Sequence, residues 1–453
     1  MKKLICTILC ISLVLTLALT LFSCNTAEEN DPTDAPSDKA TSDTAKPTDK
    51  PTDKQTNKPT EKPTRKPQPE QPDPADNDVT EFNLDQYLYP IWEGDISYAE
   101  AAFVREDEDG GIAPIKLLYP IDEIISVRSA DLKTVYTPGD DYYIDDDGNL
   151  QIIPGGKIPV LAYDDYYFPL SQEEHNQNKL GTKLPEAGNF GWGFIRAEIG
   201  TNKPGMSQWT VAVTYIHEKD SQSVVNMPAS KSAQFANLMT KLEAGQDIKI
   251  VSTGDSITDG WSASGSVNIA PFCPRYNILV EQYIKAAYNV NVTQKNVSVS
   301  GSNTNGGVSK LSDICAENPD LVIIAFGMND GCSMHPDTYI NNINKMVATI
   351  NEKCPNACIV VVGTCLPNPQ FAWNPGGESA LKYHIDYIDY LKNAEPNWKN
   401  AAHADVTTAN IEMYARKVYQ DLAGSNSNHP NDFMHRVYAQ VIIQTIFGDY
   451  LNY

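Results

Sequence analysis

The spacing of apolar residues changes near residue 229. Before it, short alternating or aromatic runs at 123–128, 141–144, 150–153 and 210–215 stand between clusters of turn formers. A period of two sets one face of a strand on a core and the other in water, so these runs predict β-strands. Asp146-Asp147-Gly148-Asn149 between two of them reads as a hairpin turn. Its acidic run leaves a calcium site as the other reading, although the spaced ligands of an EF-hand loop are missing. Residues 79–228 are therefore expected to form a small β-sandwich.

After 229 the strands become uniformly apolar, at 248–251, 296–299, 321–326 and 358–362. Helical periodicity separates them, first at 230–242, ended by Gly245, then near 276–288, 337–352, 379–392 and 408–421. A last amphipathic helix is expected over 433–446. Strands that alternate with helices and carry no polar face imply a parallel sheet covered on both sides. Chemistry in such sheets sits in the loops at the carboxyl ends of the strands.

The N-terminal segment changes this picture. Lys2 and Lys3 precede an apolar run over 4–22 that ends in Ser23-Cys24. A small residue before a Cys at the end of such a run resembles a lipobox, so residues 1–24 are expected to be a lipoprotein signal peptide with Cys24 as the lipid attachment site. A retained transmembrane anchor is the alternative, and both put the remainder outside the cytoplasm. Residues 25–78 hold ten of the 30 prolines and few apolar side chains. Such a stretch cannot offset its ordering entropy by burial and is expected to be a disordered linker. Extended, it would reach on the order of 150 Å.

Net charge narrows the partners. The formal charge is −23; residues 1–24 carry +2 and 25–78 carry −5, so −20 falls on 79–453. A nucleic-acid partner is not expected of so acidic a chain. Nine Cys in 453 residues do not make a small disulfide scaffold. The six after residue 270 are open to up to three disulfides or to free thiols.

Four loops carry candidate chemistry. After the first buried strand come Gly254-Asp255-Ser256, and after the second Ser300-Gly301. The third is followed by Gly327-Met328-Asn329-Asp330, and Asn428-His429-Pro430 lies just before the last helix. Singly, each has a plainer reading as a helix cap, a turn glycine, an Asx turn or a surface histidine. Together and in this order, they resemble the blocks of the SGNH (GDSL-type) hydrolase superfamily over residues 247–453. The resemblance implies a flavodoxin-like three-layer α/β/α domain, here over 229–453 and preceded by the β region. It also implies Ser256 as nucleophile and His429 as general base and then acid, with Ser256, Gly301 and Asn329 forming the oxyanion hole.

One position departs from the family, which places an Asp three residues before the His, where this chain has Asn426. Three readings stay open: Asn426 or a nearby backbone carbonyl orients His429, Asp432 does so or caps the last helix, or a distant acid serves. Asp255 and Asp330 are expected to hold their loops. The resemblance implies no cofactor, and no ligand spacing suggests a metal.

Trp261, and Trp373 in the loop after the fourth strand, are candidate sugar-stacking residues. With a surface tether and a β region ahead of the hydrolase, the layout is similar to that of bacterial carbohydrate esterases. The expected activity is deacetylation of O-acetylated polysaccharide, hemicellulose such as xylan or mannan, by a lipid-anchored surface enzyme that meets the membrane only through its anchor. The alternatives are a lipolytic or thioesterase-type acyl hydrolase and an inert polysaccharide-binding surface protein.

Overall fold

The computed structural model describes residues 77–163, 166, 205–218, 224–371 and 378–448. The segment expected to be a signal peptide, with Cys24, the expected linker up to residue 76, and Trp373 lie outside the described residues. No helix among the described residues is long and apolar enough to cross a membrane.

The first region begins with α1 (Leu84–Leu88) and contains β1 (Ile96–Phe103), β2 (Glu123–Ser129), β3 (Tyr142–Ile144), β4 (Leu150–Ile152) and β5 (Thr210–Ile216). Three of these form an antiparallel sheet in the order β1-β5-β2, while β3 and β4 pair as a hairpin. The hairpin's turn is closed by Asp145, whose carboxylate accepts the N–H groups of Asp147 (3.0 Å) and Asn149 (2.9 Å). This is a turn held by its own side chain. Among the described residues no second sheet faces β1, which is buried at all eight positions and packs toward the C-terminal helix. Strand β1 gives no clean alternating signal, because its Ala-Glu-Ala-Ala core is chemically a helix sequence.

The second region runs α2 (Ala236–Glu243), β6 (Ile248–Gly254), α3 (Ser256–Asp259), α4 (Ser264–Val267), α5 (Tyr276–Tyr288), β7 (Val292–Asn296), α6 (Thr304–Ser309), α7 (Leu311–Ala316), β8 (Leu321–Ala325), α8 (Pro336–Lys353), β9 (Cys358–Val362), α9 (Tyr387–Ala394), β10 (Ala401–Ala404), α10 (Val406–Met413) and α11 (Asp432–Phe447). The five strands are parallel in the order β10-β9-β8-β6-β7. That is the flavodoxin-like order, with helices covering the sheet. Its switch point lies at β6, between β7 and β8.

Three expectations shift. The second strand occupies Val292–Asn296 and not 296–299. It is an edge strand with alternating exposure, so its polar residues face outward. Strand β10, Ala401–Ala404, is a fifth strand too short and too rich in Ala to stand out. The last helix was expected to be amphipathic, yet every residue of α11 from Phe433 to Ile446 is buried. The β region covers the face that would otherwise meet water. Its carbonyls take the polar side chains: Arg436 donates to Tyr87 O and Ala99 O, and Gln440 to Tyr87 O and Tyr89 O. One hydrophobic core therefore contains Val127, Val213 and Leu117 as well as Ile250, Ile323 and Val441. All six cysteines after residue 270 are free thiols.

Candidate active site

At the carboxyl end of β6 the chain must turn sharply beside β8. Gly254 permits it: a Cβ there would lie 2.4 Å from Ala325 O. Asp255 then caps α3 by accepting the Ile257 N–H at 2.9 Å, and Ser256 opens the helix. Gly260, at φ +100°, closes that turn. Trp261 follows, its N–H donating to Ser256 O at 3.0 Å.

The structure brings His429 to this turn from 173 residues away, with Nε2 2.9 Å from Ser256 Oγ. Both residues are buried, Ser256 at 5% and His429 at 8% exposure. The loop that carries the histidine is tied to itself. Gly424 N–H donates to His429 O (2.9 Å), Asn431 N–H donates to Leu422 O (3.1 Å), and Ala423 bridges Pro430. Asn431 caps α11 by accepting the Met434 N–H at 3.0 Å. A serine hydroxyl that gives its proton toward Nε2 requires the proton of the neutral ring to sit on Nδ1.

The third strand's loop, Gly327–Asp330, is held from below. Asp330 accepts from Thr304 N–H at 2.8 Å and from its hydroxyl at 2.6 Å. The Asn329 amide donates one of its two N–H groups to Ser302 O at 2.8 Å. Gly301 sits at φ +78° with open space where a Cβ would be. The 297–300 segment runs beside β6, with Val299 N–H on Gly254 O at 3.1 Å, which keeps the Gly301 loop next to the nucleophile turn.

Burial sets the electrostatics beneath the site. Asp255 is pushed up to about 7 by burial, opposed by the Ile257 N–H and reinforced by nearby Asp330. Burial also raises Asp330, against the hydrogen bonds from Thr304. Asp432 is raised to about 6 by burial, opposed by its hydrogen bonds to Ser264. Among the described residues no group of three His, Cys, Asp or Glu side chains could hold a metal ion.

The candidate orienting residues lie elsewhere than the family pattern implies. Asn426 turns its Oδ1 to Tyr166 OH and to Asn368 Nδ2, each at 3.0 Å. Asp432 accepts the Ser264 N–H at 2.8 Å and opens α11. Among the described residues, the Ser425 hydroxyl lies 3.4 Å from His429 Nδ1 and also accepts the His429 N–H at 3.1 Å. Ser425, Tyr166 and Asn368 escaped sequence reasoning because none lies in a recognisable spacing from the histidine. Trp261 lies half-buried at the site, its ring stacked on the His429 imidazole.

Residues 253–437 match the GDSL-like lipase/acylhydrolase family. An arylesterase of Vibrio mimicus is 28% identical over 116 residues, which are 25% of this chain and 54% of that protein. The chain thus spans about half the length of this curated relative. Among solved structures, a two-domain esterase active on acetylated mannans aligns at 20% identity and a TM-score of 0.37, over 48% of this chain and 54% of that one. The acetylxylan esterase Axe2 from Geobacillus stearothermophilus aligns at 20% identity and a TM-score of 0.35, over 45% of this chain and 95% of that one. The matched segment, which is similar to GDSL-like lipases and acylhydrolases, holds the parallel sheet and the contact between Ser256 and His429.

Proposed function

We propose that the protein is a serine esterase that removes O-acetyl groups from polysaccharide, hemicellulose such as xylan or mannan, at the outer cell surface. The observation that carries the esterase reading is Ser256 Oγ at 2.9 Å from His429 Nε2. At that distance the hydroxyl proton can pass to the imidazole as Oγ attacks an ester carbonyl. The carbonyl π pair moves to oxygen, and the oxyanion is received by the Ser256 and Gly301 N–H groups and the Asn329 amide. Collapse breaks the bond to the sugar oxygen, which leaves with the proton returned from Nε2. Water, deprotonated by the same nitrogen, then attacks the acetyl-enzyme and releases acetate and free Ser256.

Support for a sugar substrate comes from the ring of Trp261 at the site. Support for surface anchoring comes from the apolar run and Cys24 at the N-terminus, followed by the Pro-rich segment. A labelled fatty acid incorporated by the wild type and not by Cys24→Ala tests the anchor.

The function is tested by acetate release from acetylated xylan, acetylated mannan and a short-chain aryl acetate, using the purified full chain and Ser256→Ala. Release from one polymer, lost in the variant, supports the reading and names the polymer. Hydrolysis of the aryl acetate alone overturns the polysaccharide part. No Ser256-dependent release from any of them overturns the esterase itself.

A further inference from the structure

Trp261 is fastened at three points, each belonging to a different part of the site. Its backbone N–H donates to Ser256 O at 3.0 Å, on the nucleophile turn. Its indole Nε1–H donates to Ser300 Oγ at 2.7 Å, and that hydroxyl donates to Asp259 Oδ2 at 2.9 Å. Its carbonyl oxygen faces His435 Nε2 at 3.4 Å. An indole held at both its backbone and its ring nitrogen has little freedom to rotate, and its face lies against the His429 imidazole. The ring centroids are 5.3 Å apart and the planes 23° from parallel.

The imidazole is then bounded on three sides: Ser256 Oγ at Nε2, Ser425 Oγ at Nδ1 and the indole over its plane. A ring so placed cannot turn about its own axis without losing a contact. The indole face is also the negative end of an aromatic quadrupole, and the imidazole becomes a cation when it takes the serine proton.

We infer that Trp261 is a positioning residue for His429, holding the imidazole in the plane that meets Ser256 and stabilising the imidazolium formed during acyl transfer. This rests on the esterase reading above and deepens it. It assigns the tryptophan a task in the chemical step, separate from any stacking on a sugar. An attraction of this kind changes a rate by roughly 2- to 30-fold.

The experiment compares the wild type, Trp261→Leu, Trp261→Phe and Ser256→Ala in the full chain, on two probes that carry no sugar. The first is a short-chain aryl acetate, read as kcat and KM. The second is diisopropyl fluorophosphate, read as the rate of covalent labelling. There Ser256 Oγ bonds to phosphorus, fluoride leaves and the hydroxyl proton passes to His429 Nε2. No ester substrate has to be known for this reaction.

Trp261→Leu is expected to lower kcat and the labelling rate by the same factor, roughly 2- to 30-fold, with KM nearly unchanged. Trp261→Phe loses the bond to Ser300 and keeps an aromatic face, so it is expected to recover most of both rates. Its unfolding midpoint, with that of Trp261→Leu, separates a local effect from a folding defect. Equal labelling of wild type and Trp261→Leu would overturn the inference alone. Trp261→Phe as slow as Trp261→Leu would overturn the part assigned to the aromatic face. A wild type that fluorophosphate does not label at Ser256 would overturn the esterase reading, and the inference with it.

Discussion

Glu100 on β1 and Lys417 ahead of the histidine loop form an ion pair at 2.6 Å with neither side chain exposed. The carboxylate also accepts from Leu118 N–H (2.9 Å), Tyr215 OH (2.8 Å) and Ser97 OH (3.1 Å), and the ammonium donates to Ala101 O (2.8 Å). Four residues on, Asp421 accepts the Phe103 N–H of the same strand at 2.8 Å. The β region thus grips the chain just before it enters the loop bearing His429.

Removing one member of such a pair leaves a buried charge without its counter-charge. Lys417→Met is expected to destabilise the protein by about 3–5 kcal/mol. Urea unfolding followed by both tryptophan fluorescence and far-UV circular dichroism measures it. Because the β region and the parallel sheet share one core, both signals should move to lower denaturant together. A loss confined to one signal would contradict the shared core.

The buried carboxyl beside the nucleophile predicts an inverted pH response. Asp255 titrates at about 7 in the folded protein, against 3.8 for the free group. The folded state therefore holds its proton more tightly than the unfolded chain. The associated stability is fully present below about pH 4 and is lost as pH rises through 7. At 1.36 kcal/mol per unit this amounts to about 4 kcal/mol. Asp255→Asn keeps an oxygen for the Ile257 N–H and cannot ionise. Its unfolding free energy, measured from pH 4 to 8, is expected to decline less than that of the wild type. Parallel curves would refute the assignment.

The oxyanion hole makes a kinetic prediction. The Asn329 amide spends one N–H on Ser302 O, and in the proposed mechanism the other meets the developing charge. Asn329→Ala is expected to lower kcat on an aryl acetate by about 10²–10³ with little change in KM, since the charge exists only in the transition state. A rise in KM at constant kcat would instead place Asn329 in ground-state binding.

The parallel sheet was legible because β8 and β9 are buried on both faces and read as unbroken apolar runs. Helix α8 was legible from its helical periodicity, expected near 337–352 and found over Pro336–Lys353. Strand β1 did not, since its central Glu100 is satisfied by Lys417, 317 residues away. The same limit applied at the site. Ser256 and His429 stood out through their flanking residues, whereas Ser425 and Trp261 act through contacts that no local spacing encodes. The expected amphipathic face of α11 vanished for the same reason, being covered by a region far away in sequence.

Asn426 occupies the position where the family pattern places an acid, which suggests that Asn426→Asp would restore a triad. The structure argues otherwise. The Asn426 Oδ1 is engaged by Tyr166 OH and Asn368 Nδ2, and Nδ2 is buried without a partner among the described residues. An aspartate there would keep the two accepted bonds and bury a second oxygen where the idle amide now sits, while Ser425 continues to face Nδ1. The expected result is a kcat on aryl acetate within about threefold of wild type, where an acid engaged with the imidazole is worth about 10⁴. Stability at pH 7 is expected to fall by about 1–3 kcal/mol from the unpartnered oxygen. Ser425→Ala is expected to lower kcat about fivefold, the worth of roughly one hydrogen bond to the catalytic ring. A hundredfold gain in Asn426→Asp, with no loss in Ser425→Ala, would return the orienting role to position 426.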